Sequence, residues 1–201
     1  MTMLKKQLRP AIVLTLVLCL LTGAVYPGVV TGIAQLLFPR QANGSLVTVD
    51  GRVVGSELIG QAFKLPGYFH SRSSAAGADG YDASASIATN KGPTDLKLAD
   101  TLIAGAVERA VQEDGAVKGK IPTDMVTTSA SGLDPHISPA NAALQVARVA
   151  RARGVSEADV RALLTRRIEG RQFGFFGEPR VNVLLLNIAL DSAYGRPARQ
   201  P

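Results

Sequence analysis

Residues 132–139 contain the three residue types of a hydrolase triad. Asp134, His136 and Ser138 could supply an acid, a base and a nucleophile. Nearness in sequence does not determine geometry, however, and the chain has no nucleophile elbow of the form G-x-S-x-G. A turn in which Asp134 and His136 bond to nearby backbone explains the same residues. We therefore favour a structural or interface role, with a membrane-tethered periplasmic hydrolase as the alternative.

Metal and phosphate chemistry have weaker signals. The chain has two histidines, His70 and His136, which lie far apart, and one cysteine, so no spaced set of metal ligands is visible. Residues 115–121 (GAVKGKI) only loosely resemble a phosphate loop, because three residues separate the glycines and no Ser or Thr follows the lysine. Neither a DKTG phosphorylation motif nor a TVGYG ion filter occurs. No motif therefore predicts a cofactor, a metal or a pore.

The distribution of charge does not indicate a nucleic-acid partner. The chain of 201 residues has 22 Lys and Arg against 16 Asp and Glu, a formal charge of +6. Its later basic residues are scattered, and the densest group, Arg148, Arg151 and Arg153, falls on a predicted helix. No aromatic stacking platform is interleaved with them. Nucleic acid is not an expected partner.

The N-terminal segment predicts a membrane anchor. Thirty residues without a formal charge separate Arg9 from Arg40, and about 20 apolar residues suffice to cross a bilayer. The basic residues before this run, with no acidic residue before Asp50, place the N-terminus in the cytoplasm. We expect a cytoplasmic tail at 1–10, an anchor at 11–38 and an extracytoplasmic domain at 39–201. The anchor residues singled out are Ala11, Leu14, Leu18, Leu21, Tyr26 and Pro27.

A cleaved signal peptide is the competing interpretation of this segment. It shares the basic start and the apolar run, but its apolar part spans only 7–15 residues, and no clear A-x-A site follows here. A lipoprotein is not indicated either, because the bulky Leu18 precedes Cys19 at a position where a small residue is needed. A retained anchor is favoured, with Pro27 kinking the helix or ending its regular part. Both interpretations export the domain.

The elements of the domain predict an α+β fold with a small sheet and several helices. Residues 46–49 and 52–54 form a hairpin around Asp50-Gly51, and residues 71–94 form a long polar loop. Helices are expected from Pro93 to Gly115, after a cap at Ser138, and after a cap at Ser156 until Gly170. Residues 125–129 could be a strand. Residues 181–190 could be a strand or a helix capped by Asn182, and helix is favoured.

Longer strings carry a resemblance to a known family. The strings are residues 60–63, 67–72, 74–77, 81–82 and 92–94, then 130–140 (ASGLDPHISPA), then 177–191 (GEPRVNVLLLNIALD). With Tyr26-Pro27 and residues 41–45, they resemble, nearly end to end, the C-subunit family of the bacterial Kdp potassium-transporting ATPase. The sequence departs from the family pattern at Ser73, at Asp95 and in residues 87–91, all in the polar loop.

The resemblance implies a non-catalytic accessory subunit of a high-affinity, ATP-driven potassium uptake complex in the bacterial inner membrane. Its implied partners are the potassium-pore subunit and the ATP-hydrolysing subunit, together with membrane lipid. The family is described as a catalytic chaperone that raises ATP affinity, so ATP is a possible ligand by family attribution only. We take as interface candidates Tyr68, Phe69, Arg72, Tyr81, Asp134, His136, Arg180 and Asn182.

The predicted topology argues against a direct role in ATP binding, because ATP is cytoplasmic and the domain is predicted outside. We therefore prefer assembly and stabilisation, in which the helix packs on partner helices and the domain caps the extracytoplasmic mouth of the pore subunit. A small-molecule binding module built on residues 71–94 is a further alternative.

Overall fold

The computed structural model describes residues 2–197 and divides the chain into two compact units, one up to Leu46 and one from Val47. Most of the first unit is one long helix, which consists of α1 (Thr2–Leu20), a π-helical segment (Leu21–Val25) and α2 (Tyr26–Leu37). In the π segment the Tyr26 N–H donates to the Leu21 carbonyl. This wider turn makes room for the ring of Pro27, which cannot donate a backbone hydrogen bond. The helix therefore continues past Pro27.

This helix is long and apolar enough to cross a membrane between Lys6 and Leu37. Its 32 residues correspond to about 48 Å at 1.5 Å per residue, more than the roughly 30 Å of a hydrocarbon core. None of its apolar window is buried by the rest of the described chain, and Leu14 is 60% exposed. Such a surface needs lipid or other helices to cover it. A short helix, α3 (Pro39–Ala42), follows it.

The second unit begins at the predicted hairpin. Strands β1 (Leu46–Val49) and β2 (Arg52–Ser56) pair with each other. Asp50 and Gly51, at the turn, have φ of 51° and 74°. Two consecutive positive φ values are what a tight type I′ turn requires, and Asp-Gly adopts them readily. The hairpin prediction is confirmed.

A second sheet has three short antiparallel strands in the order β3-β5-β4. They are β3 (His136–Ile137), β5 (Arg180–Asn182) and β4 (Ile168–Glu169). The register pairs His136 with Asn182, and Ile168 with Val181. The prediction that helix continues to Gly170 is wrong at its end, because α7 (Glu157–Arg166) stops before Ile168 and the chain then joins this sheet.

Local capping signals define the other helices. Ser138 and Asn182 each accept a backbone N–H at the start of α6 (Pro139–Arg153) and α8 (Val183–Tyr194). Gly154 ends α6 in the left-handed conformation that glycine favours. Residues 181–190 include both a strand and a helix, because β5 ends at Asn182 and α8 begins at the next residue. The favoured helix, with Asn182 as its cap, is therefore present.

The helix before Gly115 begins later than predicted. It opens as a π-helical segment (Lys97–Ile103) and continues as α4 (Ala104–Asp114). The predicted strand at 125–129 is wrong, because residues Thr123–Val126 form the short helix α5. Within the long loop, Ala83–Ala85 form one turn of 3₁₀ helix.

The core of the domain lies between the three-stranded sheet and the helices α6, α7 and α8. Its fully buried side chains are Phe69, Ala142, Val146, Val149, Val160, Val181, Leu186 and Leu190. No tryptophan is present, so aliphatic side chains and one phenylalanine fill this core. The α+β fold class predicted from the sequence is confirmed.

Candidate functional site

The carboxylate of Asp134 joins two distant parts of the domain. One of its oxygens accepts a hydrogen bond from the Arg72 guanidinium at 3.1 Å, and the other accepts from the His136 backbone N–H at 2.9 Å. The His136 ring Nδ1 lies 3.6 Å from the same carboxylate. Arg72 also donates to the Thr128 carbonyl at 3.1 Å. The predicted Asp-His turn therefore exists, and Arg72 holds it against the long loop.

These contacts change the acidity of Asp134. Partial burial opposes ionisation, but the hydrogen bonds from His136 and Arg72 outweigh it, so the pKa of Asp134 lies below its ordinary value. The carboxylate is therefore charged at neutral pH and pairs with Arg72.

A cleft of about 640 Å³ lies beside this turn, and Arg180 is one of the residues that line it. Its Nε donates to the carboxylate of Glu169, on the neighbouring strand β4, at 3.0 Å, and 43% of its side chain is exposed. Arg72, Asp134 and His136 also line this cleft, together with Glu178. Four of the eight interface candidates thus share one open surface of mixed charge, named here the Asp134 cleft (Arg72, Asp134, His136, Arg180).

Ser138 does not pair with His136 as a nucleophile with its base. Its hydroxyl donates to Asp124 at 2.9 Å and accepts the Asn141 N–H at 3.1 Å, which caps α6. Asp124 also accepts from the Ser138 N–H and from the Asn141 side chain. These bonds occupy the hydroxyl in helix capping, which accounts for the D-P-H-I-S sequence without a triad.

Tyr68 lies on a different surface, in a cleft of about 580 Å³ beside α8. Its hydroxyl donates to Asp191 at 2.8 Å, and the Arg153 guanidinium lies 5.0 Å from the centre of its ring. Burial and the bond to Asp191 raise the pKa of Tyr68. Arg153 also donates to Asp191 at 2.8 Å, so the phenol, the carboxylate and the guanidinium form one cluster.

Two interface candidates are buried inside the domain. Phe69 is fully buried, and its backbone N–H and C=O bond to both ends of the Asn187 side chain at 2.9 and 3.0 Å. Asn182 is 5% exposed, caps α8 and donates to the Glu57 carbonyl at 2.8 Å. Both side chains hold elements of the domain together, so neither presents a surface to a partner.

Tyr81 fastens the long loop. Its backbone has a positive φ of 60°, its N–H donates to Ser74 at 2.8 Å, and its hydroxyl donates to the Arg72 carbonyl. Burial raises the pKa of Tyr81 to about 12. Loop residues including Ser71 and Ser73 line a third cleft, of about 840 Å³, together with Thr128. The Ser74 hydroxyl donates to the Gly132 carbonyl at 2.6 Å and the Ser86 hydroxyl to the Ser131 carbonyl at 2.9 Å, so two points of the loop are bonded to the segment around Gly132.

A buried ionic network was not predicted. Arg148, which the sequence placed in the densest basic group on a predicted helix, has a side chain only 8% exposed and pairs with Asp114 at 2.8 Å. It also donates to the carbonyls of Pro66 and Tyr68 and to the Gln145 side chain. Burial and the nearby Arg148 charge lower the pKa of His70. No local signal distinguishes this arginine from its exposed neighbour Arg151.

Exposed aromatic residues were also missed. Phe173, Phe175 and Phe176 are 87%, 66% and 58% exposed. A signal was present in the sequence, since three of the chain's ten aromatic residues fall within RQFGFFGE.

Within residues 2–197, no group of three or more His, Cys, Asp or Glu side chains is placed to hold a metal ion.

Comparison with known proteins places this architecture in context. The family model described as "K+-transporting ATPase, c chain" matches residues 8–192. A potassium-transporting ATPase KdpC subunit of Gemmatimonas aurantiaca is 64% identical over 187 residues, covering 93% of each chain. The Koribacter versatilis protein of that name is 53% identical over 199 residues, covering 96% of this chain and 98% of the relative. The one from Myxococcus xanthus is 59% identical over 176 residues, covering 87% and 82%.

Proposed function

Because the chain belongs to the KdpC family, the c chains of K+-transporting ATPases, we propose that it is a non-catalytic subunit that assembles and stabilises its transport complex. Accessory membership of the potassium uptake complex follows from the family. The assembly role is our proposal, and its partners would be the pore subunit and the ATP-hydrolysing subunit. The bonding of Ser138 to Asp124 supports a role without catalysis by the Asp-His-Ser segment.

The observation that carries the proposal is the uncovered apolar helix. None of the apolar window of Lys6–Leu37 is buried by the other residues that the structure describes. In a membrane, helices associate through close packing of small residues, and Gly23, Gly28 and Gly32 leave open space at the Cβ position. The helix therefore offers a surface on which helices of partner subunits can pack, in addition to its contact with lipid.

The domain would cap the extracytoplasmic mouth of the pore subunit. The basic residues before the span support this sidedness, with the N-terminus in the cytoplasm of a bacterial inner-membrane protein. The Asp134 cleft provides the docking surface, because it is open and carries both charge signs. Mixed charge favours a specific orientation of a partner over indiscriminate binding.

Any influence on ATP affinity would be indirect in this account. ATP is cytoplasmic, whereas the domain is proposed outside. The lysines of residues 115–121 lie in the exposed turn after α4, which has neither the spacing nor the hydroxyl of a phosphate loop. A change in ATP affinity of the ATP-hydrolysing subunit would then be transmitted through assembly.

Co-expression with the other subunits tests the proposal. Three forms of the chain are compared by affinity purification of the pore subunit: the full chain, a form lacking residues 1–38, and a form in which an unrelated apolar helix of equal length replaces 6–37. We expect recovery with the full chain and loss with the deletion. The replaced helix should recover less than the full chain, since it restores the tether without the packing surface. Full recovery of the deleted form would refute the proposal.

A further inference from the structure

A short hairpin at residues 171–178 presents three phenylalanines to solvent. Gln172 and Phe176 form an antiparallel bridge through two hydrogen bonds of 2.9 Å between their backbones. Phe173, at the turn, has a φ of 52°, a conformation that bulky residues rarely adopt. The rings of Phe175 and Phe176 lie 4.2 Å apart. We call residues 171–178 the aromatic tip.

The aromatic tip is unlike an ordinary solvent-facing loop. A single exposed apolar residue needs no explanation, but three exposed phenylalanines within four residues form a patch of the kind that marks a protein or membrane contact. At its base, Arg171 is paired with Glu178 at 2.7 Å, which closes the hairpin. The turn therefore holds the apolar side chains outward at some conformational cost, since Phe173 is in a strained region.

Positive charge predominates in the sequence around the aromatic tip. Residues 166–180 contain four arginines and two glutamates, and the glutamates are paired with Arg171 and Arg180. Arg166 and Arg167 are exposed, and neither side chain has an ion-pair partner within residues 2–197. Apolar side chains next to free cationic ones suit the interface of a bilayer that contains anionic lipid.

The segment that joins the apolar helix to the domain is short. Residues 38–45 link Leu37 to β1, and eight residues reach at most about 30 Å even when fully extended. The first strand of the domain therefore begins within about 30 Å of the end of the helix. We propose that the aromatic tip inserts Phe173, Phe175 and Phe176 into the interface of the bilayer that holds the helix, where Arg166 and Arg167 contact anionic headgroups.

The chain lacks tryptophan, so one substitution gives a unique fluorescent reporter. Phe173→Trp in the full chain is reconstituted into phosphatidylcholine vesicles with or without phosphatidylglycerol, using lipids with brominated or ordinary acyl chains. We expect a blue-shifted emission and a loss of intensity with brominated chains, both larger when phosphatidylglycerol is present. Leu96→Trp, at a residue 75% exposed, is the control and should show neither effect.

Two further measurements complete the test. Arg166→Gln with Arg167→Gln, in the Phe173→Trp chain, should remove the enhancement by phosphatidylglycerol and leave the response to neutral vesicles. In the unsubstituted chain, amide hydrogen exchange in residues 171–178 should be slower in anionic than in neutral vesicles. Emission that matches the Leu96→Trp control, together with unchanged exchange, would overturn the proposal. A blue shift that appears only when the other subunits are added would also overturn it and would identify a protein partner.

Discussion

Arg148 and Asp114 form a buried ion pair, in which Nε of the arginine donates to the carboxylate at 2.8 Å and the side chains are only 8% and 4% exposed. The pair joins α6 to the end of α4, and the same guanidinium binds the carbonyls of Pro66 and Tyr68. The segment that leads to the fully buried Phe69 is thus held by one cation.

Removal of Asp114 should therefore be strongly destabilising. Asp114→Ala leaves the Arg148 charge buried without its anion, and breaking such a pair lowers the free energy of unfolding by about 3–5 kcal/mol. Arg161→Ala breaks the pair between Arg161 and Glu157, in which both side chains are more than half exposed. This substitution should change the free energy of unfolding by less than about 1 kcal/mol. Denaturant unfolding of the full chain in detergent measures both. Equal effects of the two substitutions would show that burial does not determine how much an ion pair contributes to the stability of this domain.

Gly132 should be harder to replace than Gly154. Both have left-handed backbone, with φ of 69° and 67°. A Cβ at Gly154 meets nothing within 4 Å, whereas one at Gly132 would lie 2.8 Å from the Ala76 Cβ and 3.0 Å from the Ile87 carbonyl oxygen. Gly154→Ala should lower the free energy of unfolding by about 1–2 kcal/mol through backbone strain. Gly132→Ala should lower the free energy of unfolding by the same strain and by about 1–3 kcal/mol more, because the new Cβ overpacks the site.

The comparison of these two alanine variants tests how the long loop is held. The extra loss at Gly132 arises from contact with the 71–94 segment, so hydrogen exchange should accelerate there in Gly132→Ala and not in Gly154→Ala. Similar stability of the two variants would mean that the loop does not pack on residue 132.

Asp134 should make part of the stability depend on pH in the acid range. Its folded pKa is below the ordinary value of 3.8, so its contribution is present above 3.8 and is lost as the pH falls through the folded pKa. Unfolding measured from pH 6 down to pH 2 should therefore show a smaller acid loss for Asp134→Asn than for the unsubstituted chain. Asp79→Asn, at an exposed loop position, is the control. An unchanged acid profile in Asp134→Asn would contradict the lowered pKa that the hydrogen bonds from His136 and Arg72 give Asp134.

Sequence reasoning succeeded where the determinant is local. Ser138 before Pro139 and Gly154 after α6 are cap signals that act within one helical turn, and Asp50-Gly51 fixes its hairpin with two residues. It failed where a distant partner decides. Ile168 leaves the helical pattern because Val181 pairs with it, and the predicted strand at 125–129 gives way to a helix whose Asp124 binds Ser138.

The candidate site was predictable to a similar extent. The string around Asp134 and His136 indicated a turn, and the turn is present. Its partner Arg72 lies 62 positions away, so their contact could not be derived from spacing. The burial of Phe69 and Asn182 was likewise invisible, because it depends on Asn187 and Glu57 from other parts of the chain. Arg148 shows the same limit for a charged residue.

The side of the membrane on which the domain lies is the most direct test of the account, because ATP is confined to the other side. In a Cys19→Ser chain, a single cysteine is introduced at Val117, which is 61% exposed, or at Gln7 before the apolar run. Intact cells are treated with a membrane-impermeant maleimide. We predict labelling of Val117→Cys in intact cells, and of Gln7→Cys only after permeabilisation. Labelling of Gln7→Cys in intact cells, with Val117→Cys protected, would contradict the account.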